Sequence, residues 1–294
     1  MENTISRFDE LDLLCKQLIS KIASDKYKQE HTKLKKELYT AKLEMINILD
    51  TEKETSGITA RELIENTKNR KKVARYSIGM LDDEFRGGIE VGTFIQLAGQ
   101  SFVGKTHFIL EVMANISGYA ECVLFNFEMG ETRMAYRLND RLITDTQLDN
   151  LIIDSHTRDI DDLVNEIRIY AKKGIVFFCI DSKMKITSSQ GDDFKRYNEI
   201  SSKLARVCQE NDIIVLLVNQ MSNGDIKDSN FAFKGSGDQL YDADIALFYT
   251  IDVDKKDEIR MLTCTKNRQD EITFSRVVTL VEGSTKLIFT KRKK

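Results

Sequence analysis

The stretch Gly99-Gln-Ser-Phe-Val-Gly104-Lys105-Thr106 decides the fold of this chain. Two glycines frame four variable residues, and a lysine and a threonine follow, which is the pattern of a phosphate-binding loop. The pattern is meaningful only between a strand and a helix. Here Thr93–Ala98 is an apolar run with strand character, and Lys105–Ser117 has the apolar content of a buried helix. We therefore expect an α/β fold in which this loop joins a strand to a helix.

The residue types of the loop suit the phosphates of a nucleotide. Glycines let successive backbone N–H groups curl around phosphate oxygens, and the N-terminus of the following helix adds partial positive charge. We expect Lys105 to reach the β- and γ-phosphates and the Thr106 hydroxyl to ligate Mg²⁺. The predicted cofactors are ATP and Mg²⁺. The predicted nucleotide-binding residues are Gly99, Gln100, Ser101, Phe102, Val103, Gly104, Lys105, Thr106 and His107.

Beyond residue 75, short β-rich runs alternate with helical stretches, which is typical of a mainly parallel sheet covered by helices. The predicted strands are Thr93–Ala98, Cys122–Phe127, Leu151–Asp154, Ile175–Asp181, Ile213–Asn219 and Ile245–Tyr249, with two more near Ile259–Thr265 and Val277–Val281. The predicted helices between them are Lys105–Ser117, Glu131–Leu142, Ile160–Lys172 and Phe194–Gln209. The pattern predicts one large α/β domain over residues 75–294.

Three predicted strands end in polar side chains at the edge where open α/β sheets bind ligands. Asp181 ends the run Ile175–Asp181 and is the candidate second Mg²⁺ ligand, opposite Thr106. Glu128 follows the predicted strand Cys122–Phe127 and is the candidate catalytic base that orients and deprotonates the attacking water. Gln220 ends a third strand and is placed to sense a γ-phosphate by hydrogen bonding. An acidic strand cap and a solvated loop glutamate are the plainer interpretations of Asp181 and Glu128.

The first seventy residues have a different texture. Phe8 to Leu49 contains no glycine or proline and spaces its apolar residues as amphipathic helices do. Thr59-Ala-Arg-Glu62 has the form of a capping box and predicts the start of a short helix. We therefore expect a helical N-terminal extension over residues 1–56 and a linker with a short helix over residues 57–74.

Composition excludes several classes of protein. The formal net charge is −3, so no global excess of lysine and arginine indicates a nucleic-acid partner, although a ring can hold DNA on a few loops. The five cysteines form no CxxC pair, which argues against a zinc ribbon or a disulfide framework and favours a reducing, cytoplasmic location. No apolar run is long enough for a membrane span, so no membrane partner is expected.

Further motifs follow one another in the order typical of one family. These are Ser77-Ile-Gly-Met-Leu-Asp82, Gly87-Gly88-Ile-Glu-Val-Gly92, the phosphate loop, Phe127-Glu128-Met129-Gly130, Tyr197–Ala205, Val218-Asn-Gln220-Met-Ser222, Gly235–Gln239 with Asp242-Ala-Asp244, and Thr265-Lys266-Asn267-Arg268. From about residue 75 to 290 the chain resembles the ATPase domain of DnaB-type replicative helicases. The resemblance implies a RecA-like P-loop NTPase core that hydrolyses ATP.

The resemblance also implies partners. It predicts a homo-hexameric ring that translocates on single-stranded DNA, with ATP between neighbouring subunits. Lys266 and Arg268 match the family's Lys-x-Arg element, which reaches across the interface to stabilise charge on the transferred phosphoryl group. From the residues alone, a lysine and an arginine two positions apart on a strand are usually a solvated face, so this role rests on the resemblance. The segments that match the family's DNA-binding loops contain Lys183, Lys185, Lys195, Arg196, Lys227 and Lys234, although acidic residues lie among them.

Some features depart from the family, and alternatives stay open. Ser182 stands where the family usually has an aromatic residue, and Gln-Asp-Glu follows Arg268. The N-terminal helices are predicted to form a collar or to bind a loader or primase. The leading hypothesis is a compact ATP-dependent DNA helicase of replication, of the sort a phage or mobile element encodes. The alternatives are a RecA- or RadA-like recombination ATPase that forms filaments, and a KaiC-like regulatory ATPase that does not act on DNA.

Overall fold

The structure, a computed structural model, describes residues 2–50, 59–68, 74–139, 144–221, 239–252, 259–280 and 287–289. The helices are α1 (Glu2–Ile22), α2 (His31–Asp50), α3 (Ala60–Lys68), α4 (Lys105–Ser117), α5 (Glu131–Asn139), α6 (Asp145–Asn150), α7 (Ile160–Lys172), α8 (Asp193–Asn211) and α9 (Gln239–Asp242). The strands are β1 (Arg75–Tyr76), β2 (Ile89–Glu90), β3 (Phe94–Gly99), β4 (Cys122–Asn126), β5 (Leu151–Asp154), β6 (Phe177–Asp181), β7 (Ile214–Gln220), β8 (Ile245–Asp252), β9 (Ile259–Asn267), β10 (Phe274–Leu280) and β11 (Leu287–Phe289).

The main sheet has the strand order β11-β10-β9-β8-β3-β7-β6-β4-β5. The strands from β8 to β5 in this order run parallel, and β9, β10 and β11 add an antiparallel edge. Parallel strands place all their carboxyl ends at one edge of the sheet. The predicted α/β fold with a mainly parallel sheet is confirmed.

The central strands are buried on both faces. Every residue of β3, β4 and β6 is buried, as are all residues of β7 except Gln220. Strands covered on both sides by crossover helices require continuous apolar runs, and these runs are what made the strands visible in the sequence. Helix α4 contributes Phe108, Ile109 and Met113 to the same core. The phosphate loop is thereby anchored at both of its ends.

Short elements escaped the sequence prediction. The pair β1 and β2 has two residues in each strand, and Arg75 ties it down through Glu90 and Asp270. Helix α6 begins with a capping box between Thr144 and Gln147. Elements this short carry too few residues for a period to be recognised. The predicted end of α5 at Leu142 falls outside the described residues, which stop at 139.

By contact density the chain divides into two compact units. The first comprises Met1–Lys71 and Asn165–Tyr170. Its core contains Leu11, Cys15, Ala41, Met45 and Ile169.

A buried ion pair joins Lys42 to Glu166 within this first unit. The predicted capping box of α3 is confirmed, since the Thr59 N–H donates to Glu62 Oε2 at 2.7 Å and the Glu62 N–H donates to Thr59 Oγ1 at 3.2 Å.

The second unit, Lys72–Val164 with Ala171–Lys294, carries the main sheet. Cys122, Cys179, Cys208 and Cys264 lie buried in it as free thiols. Within the described ranges, no helix combines the length and the apolar character that crossing a bilayer requires.

Candidate nucleotide-binding site

The predicted site residues lie at the carboxyl edge of the parallel strands. They are the phosphate loop and, outside it, Asp181, Glu128 and Gln220. β3 ends at Gly99, where the loop begins, and β6 ends at Asp181. Residues Gly99 and Gln220 face each other across the β3–β7 pair. Four stretches far apart in sequence thus meet at one edge of the sheet.

The two glycines of the loop are required for different reasons. A Cβ on Gly99 would come within 2.5 Å of the Tyr249 carbonyl oxygen, so this position needs glycine for close backbone approach. Gly104 lies at φ +103°, in the left-handed region, immediately before helix α4. The backbone therefore enters the helix with its first N–H groups pointing toward the loop, which is the arrangement that binds anions.

The other loop residues differ widely in exposure. Val103 is buried, whereas Ser101 and Phe102 are exposed and Gln100 and His107 are half-buried. Phe102 also has a positive φ of 65°, and its side chain is fully exposed to solvent. A tight turn that exposes a large apolar side chain leaves that side chain available to a ligand or a second chain.

Lys105 turns back onto its own loop. Its Nζ donates to the carbonyl oxygens of Gly99 at 3.0 Å and Gln100 at 2.8 Å. Burial lowers the pKa of Lys105, while the charges of Glu128 and Asp181 raise it. The ammonium is thus held against the loop backbone near two carboxylates, where a phosphate would replace the carbonyl oxygens as its partner.

Thr106 and Asp181 form the centre of the candidate metal site. The Thr106 hydroxyl donates to Asp181 Oδ2 at 3.2 Å, and Asp181 is only 1% exposed. The pKa of Asp181 is raised to about 6, because burial and then the charge of the neighbouring Glu128 outweigh the Thr106 hydrogen bond and Lys105, which lower it. A carboxylate and a hydroxyl are the hard oxygen ligands that Mg²⁺ prefers, and a dication would relieve the cost of the buried charge.

Glu128 is exposed and is held by a residue that the sequence presented only as a departure from the family. The Ser182 hydroxyl donates to Glu128 Oε1. The Phe127 N–H donates to the Asp181 carbonyl oxygen at 2.7 Å, so the chain before Glu128 continues the pairing of β4 with β6. Ser182 thus orients the carboxylate next to the candidate metal site. Its position directly after Asp181 was the only signal in the sequence.

Gln220 sits beside the base of the loop. The Met221 N–H donates to the Gly99 carbonyl oxygen at 3.3 Å, so the end of β7 is coupled to the start of the loop. One residue earlier, Asn219 Nδ2 donates to Gln96 Oε1 at 2.7 Å inside the sheet. Gln220 is half-buried at this edge, and its amide stays a candidate sensor of the phosphate.

Lys266 and Arg268 lie at the opposite edge of the sheet from the phosphate loop of their own chain. Lys266 pairs with Ala246 near the start of β8, and the Arg268 N–H donates to the Asp244 carbonyl oxygen at 2.9 Å. Tyr249, opposite Gly99, is three residues beyond Ala246 and five beyond Asp244, or about 10 and 17 Å at 3.3 Å per residue. Both side chains reach the Tyr241 carbonyl oxygen, Lys266 Nζ at 3.1 Å and Arg268 Nη2 at 3.0 Å. Within one chain these cations do not meet the loop.

The predicted DNA-contacting residues divide into three groups. Lys185 and Lys195 are exposed, and Arg196 is half-buried and paired with Asp193 at 2.8 Å. Lys227 and Lys234 fall outside the described residues. Lys183 corrects the expectation of a surface cation, because it is 2% exposed and its Nζ donates to Ser201 Oγ at 3.3 Å, beneath the Tyr197 ring. A side chain enclosed in this way does not present its charge to a phosphate backbone.

Comparison with known proteins agrees with the fold. Residues 80–225 match the family model of an AAA domain. A search of curated proteins finds no match. A solved ATPase domain is similar to this chain with a TM-score of 0.66 and 19% identity, covering 81% of this chain and 100% of that one. The chain has the fold of ATPase domains of the RecA type, and its loop has the phosphate-binding pattern.

Two further solved structures share this fold. A DnaB-like replicative helicase, solved to show its interactions with primase, has a TM-score of 0.64 and 16% identity over 95% of this chain and 77% of that one. A KaiC-like protein from the archaeon Pyrococcus horikoshii has a TM-score of 0.60 and 15% identity over 74% of this chain and 100% of that one. The chain carries the fold of the DnaB-like helicase ATPase domain, and the resemblance seen in the sequence is confirmed at this level.

Proposed function

We propose that this protein is an ATP-dependent, DnaB-like DNA helicase that translocates on single-stranded DNA in replication, in the setting of a phage or mobile element. The observation that carries the proposal is the split of the candidate catalytic residues. One edge of the sheet holds the phosphate loop with Asp181 and Glu128, and the other edge holds Lys266 and Arg268. Such a split suits a site completed by a neighbouring copy in a homo-hexameric ring.

Each residue of the first edge has a distinct task in hydrolysis. Lys105 binds the β- and γ-phosphates, and Thr106 with Asp181 holds Mg²⁺, which supplies charge neutralisation at the phosphates when bound. Glu128, oriented by Ser182, accepts the proton of the attacking water. Gln220 hydrogen-bonds the γ-phosphate. Binding of the γ-phosphate is thereby coupled to the conformation of the segment that follows β7.

The second edge supplies positive charge to the neighbour. Arg268 is 52% exposed in its side chain, and its ion pair with Asp244 at 3.2 Å is of the solvated kind that contributes little to stability. The guanidinium can therefore leave Asp244 and turn to the phosphates of an adjacent subunit at small cost. This is the action of an arginine finger, which stabilises the charge of the transferred phosphoryl group.

Contacts to DNA are proposed for Lys185 and Lys195, which are exposed, with Arg196 and the lysines at 227 and 234 as further candidates. Such contacts would be to the backbone phosphates and would weaken with salt. The N-terminal helices α1 and α2 are proposed to form a collar or to bind a loader or primase. The residue division 1–56, 57–74 and 75–294 remains the working domain scheme.

A second candidate is a KaiC-like regulatory ATPase that does not act on nucleic acid. Two observations favour it: the burial of Lys183 and the pairing of Arg196 with Asp193, which together reduce the free positive charge near the predicted DNA loops. The similar KaiC-like fold shows that the same architecture occurs in proteins of that name.

The deciding experiment is steady-state ATP hydrolysis with and without single-stranded DNA over a salt series, followed by unwinding of a forked duplex. Stimulation that fades with salt, together with unwinding, supports the helicase. Turnover that is indifferent to DNA contradicts it and favours the regulatory ATPase. Lys105→Ala serves as the inactive control. Lys195→Ala should weaken DNA stimulation, while Lys35→Ala, an exposed lysine on α2, should not.

A further inference from the structure

The outer side of the phosphate loop is held by β8 and β9, which the sequence did not connect to it. The backbone N–H of Ile251 on β8 donates to Gln100 Oε1 at 3.2 Å. On β9, Arg260 Nε donates to the Val103 carbonyl oxygen at 3.2 Å. Ile251 and Arg260 face each other across the antiparallel pair. One pair of strands therefore grips the loop near its beginning and near its end.

The Tyr249 side chain packs against the phosphate loop between these two contacts. Its ring packs against Phe108, with centroids 6.3 Å apart, and a Cβ on Gly104 would lie 3.8 Å from its hydroxyl oxygen. Burial raises the pKa of Tyr249 to about 12, and the nearby charge of Arg260 opposes this shift. The Arg260 guanidinium thus lies close to both Tyr249 and the C-terminal half of the loop.

The contact to Val103 determines where the next N–H group points. A trans peptide is planar, so the Val103 carbonyl and the Gly104 N–H point in opposite directions from the same unit. Gly104 at φ +103° tolerates positive and negative φ nearly equally, so glycine alone does not select one orientation of this peptide. A side-chain donor on the outer side of the loop does select one.

We propose that Arg260 is a positioning residue for phosphate binding, which holds the Val103 carbonyl outward and thereby turns the Gly104 N–H toward the α- and β-phosphates of the nucleotide. The inference rests on the proposed nucleotide function and adds to it a residue outside every motif of the chain. Arg260 acts through the loop backbone. It is therefore distinct from Lys105, which acts on the phosphates by its own charge.

The test compares Arg260→Met and Arg260→Lys with the wild-type chain. Isothermal titration measures the Kd of ADP and of a non-hydrolysable ATP analogue, and steady-state kinetics measure KM and kcat. Both dissociation constants should rise about tenfold and by the same factor in Arg260→Met, since both ligands share the α- and β-phosphates. KM should rise while kcat at saturation changes little, because Lys105, Thr106 and Asp181 are untouched. Arg260→Lys, which retains a donor, should recover part of the affinity.

Arg206→Met is the control, because Arg206 is an exposed arginine whose Nε donates to the Glu210 carboxylate rather than to the loop, and its affinities should match the wild type. Unchanged affinity for both nucleotides in Arg260→Met would overturn the inference and leave the proposed function standing. Loss of affinity for the triphosphate alone would also overturn it, by showing that Arg260 acts on the γ-phosphate. If Arg260→Met does not fold, Arg260→Ala, which also removes the donor, takes its place, and unchanged affinities in that variant overturn it. A folded wild-type chain that binds neither nucleotide overturns the proposed function and this inference together.

Discussion

The hydroxyl of Thr106 donates a hydrogen bond to the buried carboxylate of Asp181, 3.2 Å away, across a gap of 75 residues in sequence. This contact brings the first helix after the loop together with the end of β6. Without a dication, Asp181 is a buried carboxylate whose charge is opposed by burial and by Glu128. The candidate metal site is therefore under electrostatic strain that Mg²⁺ would relieve.

Asp181→Asn should abolish ATP turnover and stabilise the metal-free fold. The pKa of Asp181 is raised from 3.8 to about 6, so between these values the folded state binds more protons than the unfolded state. In the wild type, ionisation of this group therefore lowers the free energy of unfolding as pH rises through 6. At low pH, where the group is protonated, that loss of stability is absent. At pH 8 with chelator, the variant should gain up to about 3 kcal/mol in urea unfolding, and the gain should shrink toward pH 4.

Two control experiments accompany the prediction for Asp181→Asn. Asp149→Asn, at an exposed position on α6, should leave both stability and turnover unchanged. Mg²⁺ should raise the melting temperature of the wild type but not of Asp181→Asn. An equal response of the two proteins to Mg²⁺ would rule out Asp181 as a ligand.

Lys105→Ala should abolish turnover without unfolding the protein. Within the part of the chain that the structure describes, the ammonium donates to carbonyl oxygens of its own loop at 2.8 and 3.0 Å, and burial lowers its pKa, so the fold gains little from its charge. We expect a melting temperature within a few degrees of the wild type and at least a hundredfold loss in the ATP hydrolysis rate. Circular dichroism measures the melting temperature, and a phosphate-release assay measures the hydrolysis rate. Turnover that survives the substitution would refute the assignment of the site.

Arg268→Ala should leave nucleotide binding intact and abolish hydrolysis in the assembled protein, because its guanidinium lies at the sheet edge remote from its own loop. Mixing it with inactive Lys105→Ala protein should restore part of the activity, since one interface type then combines an intact loop with an intact arginine. Arg206→Ala is the control that should retain full activity alone. Failure of the mixture to recover any activity would argue against a site shared between copies.

Lys183→Met should stabilise the protein and leave affinity for single-stranded DNA unchanged. Burial lowers the pKa of Lys183 from 10.5 to about 7, and Asp242 only partly offsets this effect. The unfolded state then binds more protons between pH 7 and 10.5, so wild-type stability is reduced at neutral pH and recovers as pH rises. The variant should gain up to about 5 kcal/mol at pH 7 and lose this advantage toward pH 10.

Ser201 keeps a partner in that variant, since Gln96 Nε2 lies 3.5 Å from its hydroxyl. Lys185→Met, at an exposed position two residues along, is the matched control and should weaken DNA binding with little change in stability. Fluorescence anisotropy with a labelled oligonucleotide measures the DNA affinity of both variants. A loss of DNA affinity in Lys183→Met as large as in Lys185→Met would show that the buried lysine becomes accessible to DNA.

The sequence by itself determined the phosphate loop, the alternation of strands and helices, and the polar residues at the strand ends. These features are local: a glycine pattern, an apolar run and the residue that follows it are all visible within a dozen positions. The mainly parallel sheet then follows, because continuous apolar runs separated by helices bury their strands on both faces.

Only the tertiary structure decided the contacts that join distant segments. Arg260 and Val103 are 157 residues apart, and Ser182 and Glu128 are 54 apart, so no local period connects them. Lys183 looks like part of a basic loop in the sequence, yet the chain continues inward past Asp181 and buries it against Ser201 and Tyr197. Strand order sets which of these side chains meet, and strand order depends on the packing of the whole sheet rather than on any one stretch of sequence.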